Sequence, residues 1–229
     1  MSKKYIYMLF IFVLFLVTTS GHFIKYLNVE QVKEVFDSND LMCKYSISNI
    51  IEKTDEYDIT AYYPVTEVEE LNKKIMEKIN LCINDFKNEI IGKGNSLTIN
   101  FNSSENDIYT SFVFDVVITS SSAHNKECTF SINYNNKEKK VITIDDILKS
   151  SNCDLKNISN AICEYISENK KLKEIVSEEN LKAYFDLDKE KYNYFYFDKN
   201  MIVFYFNPGT IAPEKSGIIY ISVPMDKIN

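Results

Sequence analysis

His124 is the only histidine beyond residue 25, and it follows Ser120-Ser121-Ser122-Ala123. A serine hydroxyl beside an imidazole is the pairing used for nucleophilic catalysis. Adjacency within one loop is not that geometry, however, and the chain has no G-x-S-x-G elbow. The expected role of His124 is to order its loop by hydrogen bonding a neighbouring strand end. Asp145-Asp146 is the next candidate, since paired carboxylates cleave glycosidic bonds. Neighbouring side chains at a helix start diverge, though, and carboxylates there meet exposed N–H groups. Asp145 is therefore expected to order a helix start. Cys43, Cys82, Cys128, Cys153 and Cys163 include no C-x-x-C and no zinc-spaced Cys/His cluster. Their odd number leaves at least one thiol unpaired; Cys153 with Cys163 is a pairing that spacing leaves open. Cys82 and Cys163 lie on apolar helical stripes, where cysteine serves as a small core residue. The expectation is no catalytic residue, no metal and no cofactor.

The composition narrows the partners. Of 229 residues, 26 are basic, 33 are acidic and the formal charge is −7. All the basic side chains are lysines, so the planar fork that grips phosphate bidentately is missing. A nucleic-acid partner is excluded on that balance, and an acidic surface favours a cationic partner. Ser2-Lys3-Lys4, the apolar run Tyr5 to Val17 and the small residues Thr18 to Gly21 have the three parts of a secretory signal. The same stretch, taken over residues 5–24, reaches the ~20 residues a membrane anchor needs. Either way the remainder is extracytoplasmic, anchored or secreted.

These residues are set in a predicted α+β framework. Strands are expected within Lys44–Tyr63 around a Thr54-Asp55-Glu56 turn, with Pro64 stopping the ladder. A helix over Thr66–Ile91 opens on a Thr66/Glu69 capping box, buries Val68, Leu71, Ile75, Ile79, Cys82, Phe86 and Ile90, and ends at Gly92. Strands follow at Leu97–Phe101, Asp107–Thr119, Glu127–Tyr134 and Val141–Ile144. Further helices are expected from Asp145, over Asp154–Leu172 and over Ser177–Phe185. Strands at Tyr192–Phe197, Met201–Phe206 and Ile218–Val223 complete the chain. The predicted architecture is two packed subdomains, each a mostly antiparallel sheet with helices on one side. Residues 1–24 form the signal or anchor, 25–43 a connector, 44–138 the first subdomain and 139–229 the second. Between the last strands, Asn207 to Ser216 is a Gly- and Pro-bearing loop, and loops carry recognition more often than cores do. Asn207, Pro208, Gly209, Thr210, Pro213 and Glu214 are the candidate partner-binding residues.

The stretch Tyr194-Phe195-Tyr196-Phe197-Asp198-Lys199-Asn200-Met201-Ile202-Val203-Phe204-Tyr205-Phe206-Asn207-Pro208, with Ile211-Ala212-Pro213, Gly217 and Val223-Pro224, resembles a known domain family. It is similar to the extracytoplasmic region of the RsiV-like lysozyme-sensing anti-sigma factors and to the non-catalytic module of the PdaC-like peptidoglycan deacetylases. Ser122-Ala123-His124, Asn133-Tyr134 and Thr143-Ile144-Asp145-Asp146-Ile147-Leu148 fall in the family's order. The resemblance covers residues 44–226, with 44–138 PdaC-like and 139–229 like the RsiV C-terminal part. It implies a non-catalytic binding or sensing module of a Gram-positive cell envelope. The implied partner is lysozyme, another cationic envelope protein, or peptidoglycan. The alternative is a peptidoglycan-modifying hydrolase or an accessory domain of one. Gly209-Thr210 and Glu214-Lys215-Ser216 depart from the family's pattern, and neither the regulatory output of the sensors nor the enzymatic output of the deacetylases is expected to carry over.

Overall fold

The computed structural model describes residues 43–120, 125–186 and 192–228. The expected leader over 1–24, all but the end of the 25–43 connector, and His124 lie outside the described residues. β1 (Tyr45–Lys53) and β2 (Tyr57–Thr66) pair antiparallel across the expected turn. Thr54 Oγ1 accepts the backbone N–H groups of Glu56 and Tyr57 at 3.2 and 3.0 Å, which closes it. Pro64 does not stop the ladder: it lies within β2, opposite Ile47. The pairing of β2 with its other neighbour ends at Ala61. A missing N–H therefore costs nothing on that side.

α1 (Glu69–Glu89) buries Leu71, Ile75, Ile79, Ile83 and Phe86 as one stripe. Its start differs from the expected Thr66/Glu69 box. Asn72 reaches back instead: its Oδ1 accepts Thr66 N–H at 2.8 Å and its Nδ2 donates to Thr66 O at 2.8 Å. An amide can satisfy a donor and an acceptor together, which a carboxylate cannot. The chain then enters β3 (Asn95–Glu105), parallel to β2. β4 (Tyr109–Thr119), β5 (Lys126–Asn135) and the short β6 (Lys140–Ile142) follow antiparallel, giving a six-stranded sheet in sequence order. α1 covers one face, closing a core with Ile59, Leu97, Ile99, Phe112 and Phe114. Each such side chain contributes roughly 1.5–3 kcal/mol of transfer free energy.

The second half begins with α2 (Ile144–Ser151), α3 (Leu155–Glu168), α4 (Lys170–Ile175) and α5 (Glu178–Asp186). The helix expected over 154–172 is divided at Asn169, whose Oδ1 accepts Leu172 N–H at 3.1 Å and so starts α4. β7 (Phe195–Asp198), β8 (Met201–Phe206) and β9 (Ile219–Pro224) form a three-stranded antiparallel sheet. Ile158, Ile162 and Ile166 pack against Phe204, Phe206, Ile221 and Val223 in a second core. The seam expected at 138/139 falls inside the β5–β6 hairpin, because Val141 pairs with Tyr134 and keeps β6 in the first sheet.

The two sheets meet through polar groups. β7 is an edge strand with Phe195 O and Phe197 N–H turned away from β8. Asn133 Nδ2 donates to Phe195 O at 2.8 Å, and Ser131 Oγ donates to the same oxygen. Ser111 Oγ accepts Phe197 N–H at 2.9 Å while donating to Asn133 Oδ1 at 2.7 Å. Side chains of β4 and β5 thus take the place of a fourth strand, and a bare edge is avoided.

Candidate functional site

The Asn207–Ser216 loop is built from its base outward. Asn207 Oδ1 accepts Thr129 N–H at 2.8 Å and its Nδ2 donates to Thr129 O at 3.3 Å, so one amide clamps the end of β8 to β5. Thr210 N–H donates to Asn207 O at 3.1 Å, closing a turn around Gly209 at φ +78°. Ile211 and Ala212 are buried, and Ile211 O accepts Ser177 N–H at 3.0 Å at the start of α5. Pro213, Glu214 and Lys215 are exposed on a 3-10 turn over Glu214–Ser216. Of the candidate partner-binding residues, Asn207 anchors, Pro208 and Thr210 are half-buried shoulders, and Gly209, Pro213 and Glu214 face solvent.

Beside this loop lies a tyrosine cluster. Tyr205 is buried at the centre, with Tyr194, Tyr196 and Tyr220 rings 5.8–6.4 Å from it. Burial pushes the Tyr205 hydroxyl up, against the hydrogen bond to Ser131 Oγ at 3.0 Å. Burial also raises Tyr196, and the nearby Tyr220, Asp198 and Asp115 add to that shift. Thr129 Oγ1 lies 3.4 Å from Tyr220 Oη and 3.3 Å from Asp115 Oδ1, connecting the cluster to the first sheet. Tyr194 and Tyr220 are each 41% exposed.

The sheet face opposite α1 carries two cross-strand rows. Ile51, Thr60, Thr98, Val117 and Glu127 form one, and Asn100, Asp115 and Thr129 the other, with Tyr62 opposite Asn49 at its β1–β2 end. Ile51 is 57% and Tyr62 40% exposed. Sequence reasoning missed this surface. The alternation of β4 and β9 signals which residues share a face, but not that two sheets bring Asp115 and Tyr220 together.

Asp145 belongs to a different junction. It is half-buried in the first turn of α2, where Ile144 N–H donates to Asn193 Oδ1 at 2.8 Å. The capping carboxylate is Asp146, whose Oδ2 accepts both the N–H and the hydroxyl of Thr143 at 2.9 and 3.1 Å. Lys140 Nζ stands 2.9 Å from both Glu138 and Asp146, and these bonds raise its ammonium. A cavity of about 220 Å³ opens there between Tyr109, Asn135, Lys140 and Ile147, below the several hundred Å³ of small-molecule sites. Cys43, Cys82, Cys128, Cys153 and Cys163 are free thiols. Burial lifts Cys43 and Cys82 to about 11. Among the described residues no group of three metal-ligating side chains converges, and no helix is long and apolar enough to cross a membrane.

Residues 145–226, from α2 to the turn after β9, match the model of a protein family of unknown function, DUF3298. No curated protein matches the chain. A DUF3298 family protein of Pseudomonas aeruginosa PAO1 has a similar solved structure, with 13% identity and TM-score 0.56 over 82% of this chain and 92% of that one. A member of the same family from Bacteroides fragilis NCTC 9343 is similar at 16% identity and TM-score 0.52, over 80% and 91%. The fold they share reaches well beyond the matched segment, into the six-stranded sheet.

Proposed function

We propose that this chain is a non-catalytic binding or sensing module of the bacterial cell envelope, facing outward, with a cationic protein such as lysozyme as its partner. The observation that carries the reading is the Asn207–Ser216 loop. Its base is fixed at Thr129 and at Ser177, and its exposed tip is Gly209, Pro213, Glu214 and Lys215. A tip held this way loses little conformational entropy on binding. The formal charge of −7 supports a cationic partner. The match of residues 145–226 to DUF3298 is consistent with the resemblance to the RsiV-like sensors and the PdaC-like deacetylase modules. The relation to those sensors, and with it lysozyme as ligand, is part of this proposal.

The test is calorimetric titration of the full-length chain with lysozyme at low and at physiological salt. The expected result is a saturable interaction that weakens as salt rises. No heat and no pull-down at low salt removes lysozyme as the partner.

A further inference from the structure

The tip of the loop is too small to be the whole contact. A specific protein interface buries about 800 Å² per partner over roughly 20–30 residues a side. Gly209, Pro213, Glu214 and Lys215 supply a fraction of that. The Asn207 clamp puts the loop directly on Thr129, and Thr129 leads through Tyr220 and Asp115 onto the sheet face opposite α1. Among the described residues no helix packs on the upper part of that face; β7 covers only its lower part, at Ser111, Ser131 and Asn133.

We infer that this face, from Tyr62 and Ile51 to Tyr220, is the principal footprint of a folded cationic protein; the inference rests on the reading just proposed. Two observations select that occupant. Exposed tyrosines at Tyr62, Tyr194 and Tyr220 are the side chains that anchor protein interfaces and accept ammonium or guanidinium groups on their rings. Acidic groups beside them are Asp115, Glu127 and Asp198, and Lys53, one cross-strand row beyond Ile51 on the same face, is already paired with Asp58 at 3.2 Å. The face therefore attracts lysine- and arginine-bearing surfaces and repels anionic polymers. β-Sheet rows hold these groups at fixed spacing, so they need no ordering on contact.

The experiment compares Tyr62→Ala with Leu81→Ala in the full-length chain, lysozyme being the probe. Leu81 is 53% exposed on α1, the layer that covers the other side of the sheet. Neither side chain belongs to a core, so both variants keep the fold, checked by circular dichroism. Tyr62→Ala is expected to weaken lysozyme binding about tenfold, and Leu81→Ala to leave it within about twofold. Adding Glu127→Lys to Tyr62→Ala lowers affinity further and flattens the salt dependence. Equal affinities for Tyr62→Ala and Leu81→Ala, with loss on Glu214→Lys, confine the contact to the loop and overturn this inference while the proposed function stands. Loss of soluble peptidoglycan binding in Tyr62→Ala, with lysozyme binding intact, overturns it as well. Failure of the unmodified chain to bind lysozyme removes the reading beneath it.

Discussion

Asn133→Ala tests whether side chains really close the β7 edge. Asn133 is 3% exposed; it donates to Phe195 O and accepts from Ser111 Oγ. The substitution removes both bonds, each with a net value of about 0.5–1.5 kcal/mol. Phe195 O keeps Ser131 Oγ as a donor, so it is not orphaned. The Ser111 hydroxyl, on a residue that is 0% exposed, loses its acceptor, and a buried unsatisfied donor costs about 1–3 kcal/mol. The expected destabilisation is about 2–4 kcal/mol. With a urea slope of about 2 kcal/mol per molar, the midpoint falls by roughly 1–2 M. Asn102→Ala is the control: Asn102 is an exposed residue on the same sheet face and should cost no more than about 0.5 kcal/mol. Adding Ser111→Ala to Asn133→Ala removes the stranded hydroxyl but also the acceptor of Phe197 N–H, so the double variant should lose less than the sum of the two single losses without regaining the parent's stability. A loss below about 0.5 kcal/mol for Asn133→Ala, or strict additivity in the double variant, refutes the reasoning.

Three further outcomes follow from the geometry. Burial alone would raise the Asp146 carboxyl, but its bonds from Thr143 and Lys140 hold it below the usual range. A lowered native value stabilises above the unfolded value near pH ~4 and is lost as pH falls through the native one. Asp146→Ala should therefore cost about 1 kcal/mol at neutral pH, with the gap to the parent closing in acid unfolding below about pH 4. Gly209 sits at φ +78° and a Cβ there would meet nothing within 4 Å, so Gly209→Ala carries a pure backbone cost of about 1–2 kcal/mol, and Gly209→Asn less, by thermal melting. Cys163 is exposed and should give the first phase of labelling by a thiol reagent, a phase that Cys163→Ser abolishes. Cys43 and Cys82, at about 11, are ionised in only about one molecule in 10⁴ at pH 7 and should label only on unfolding.

Much of the framework is legible in the sequence because single faces are dry. The Leu71–Phe86 stripe and the alternation of Phe112, Phe114 and Val116 each report one buried side, and both elements lie where periodicity puts them. Misreadings arise where a polar group has a partner distant in sequence. Ser111, Ser131 and Asn133 alternate as a solvent-facing row would, yet they are buried or half-buried against β7. The helix break at Asn169 is local, and an asparagine three residues before Leu172 is its readable trace; Asn72 instead reaches back six residues to Thr66, a spacing with no capping signature. At the loop, Gly209 and the prolines mark the turn, whereas the anchoring role of Asn207 depends on Thr129, 78 residues away. The surface around Tyr62 and Tyr220 is a product of topology and has no motif.

The dependence of β7 on β4 and β5 has a consequence for biosynthesis and descent. The strands of the amino-terminal sheet end at Ile142, before any residue of β7 has been made, so every side chain that closes the β7 edge is synthesised ahead of it. Residues 145–226 produced alone would present Phe195 O and Phe197 N–H bare, and would stick edge to edge. The segment that keeps a recognisable sequence signature is thus shorter than the segment that must be inherited together.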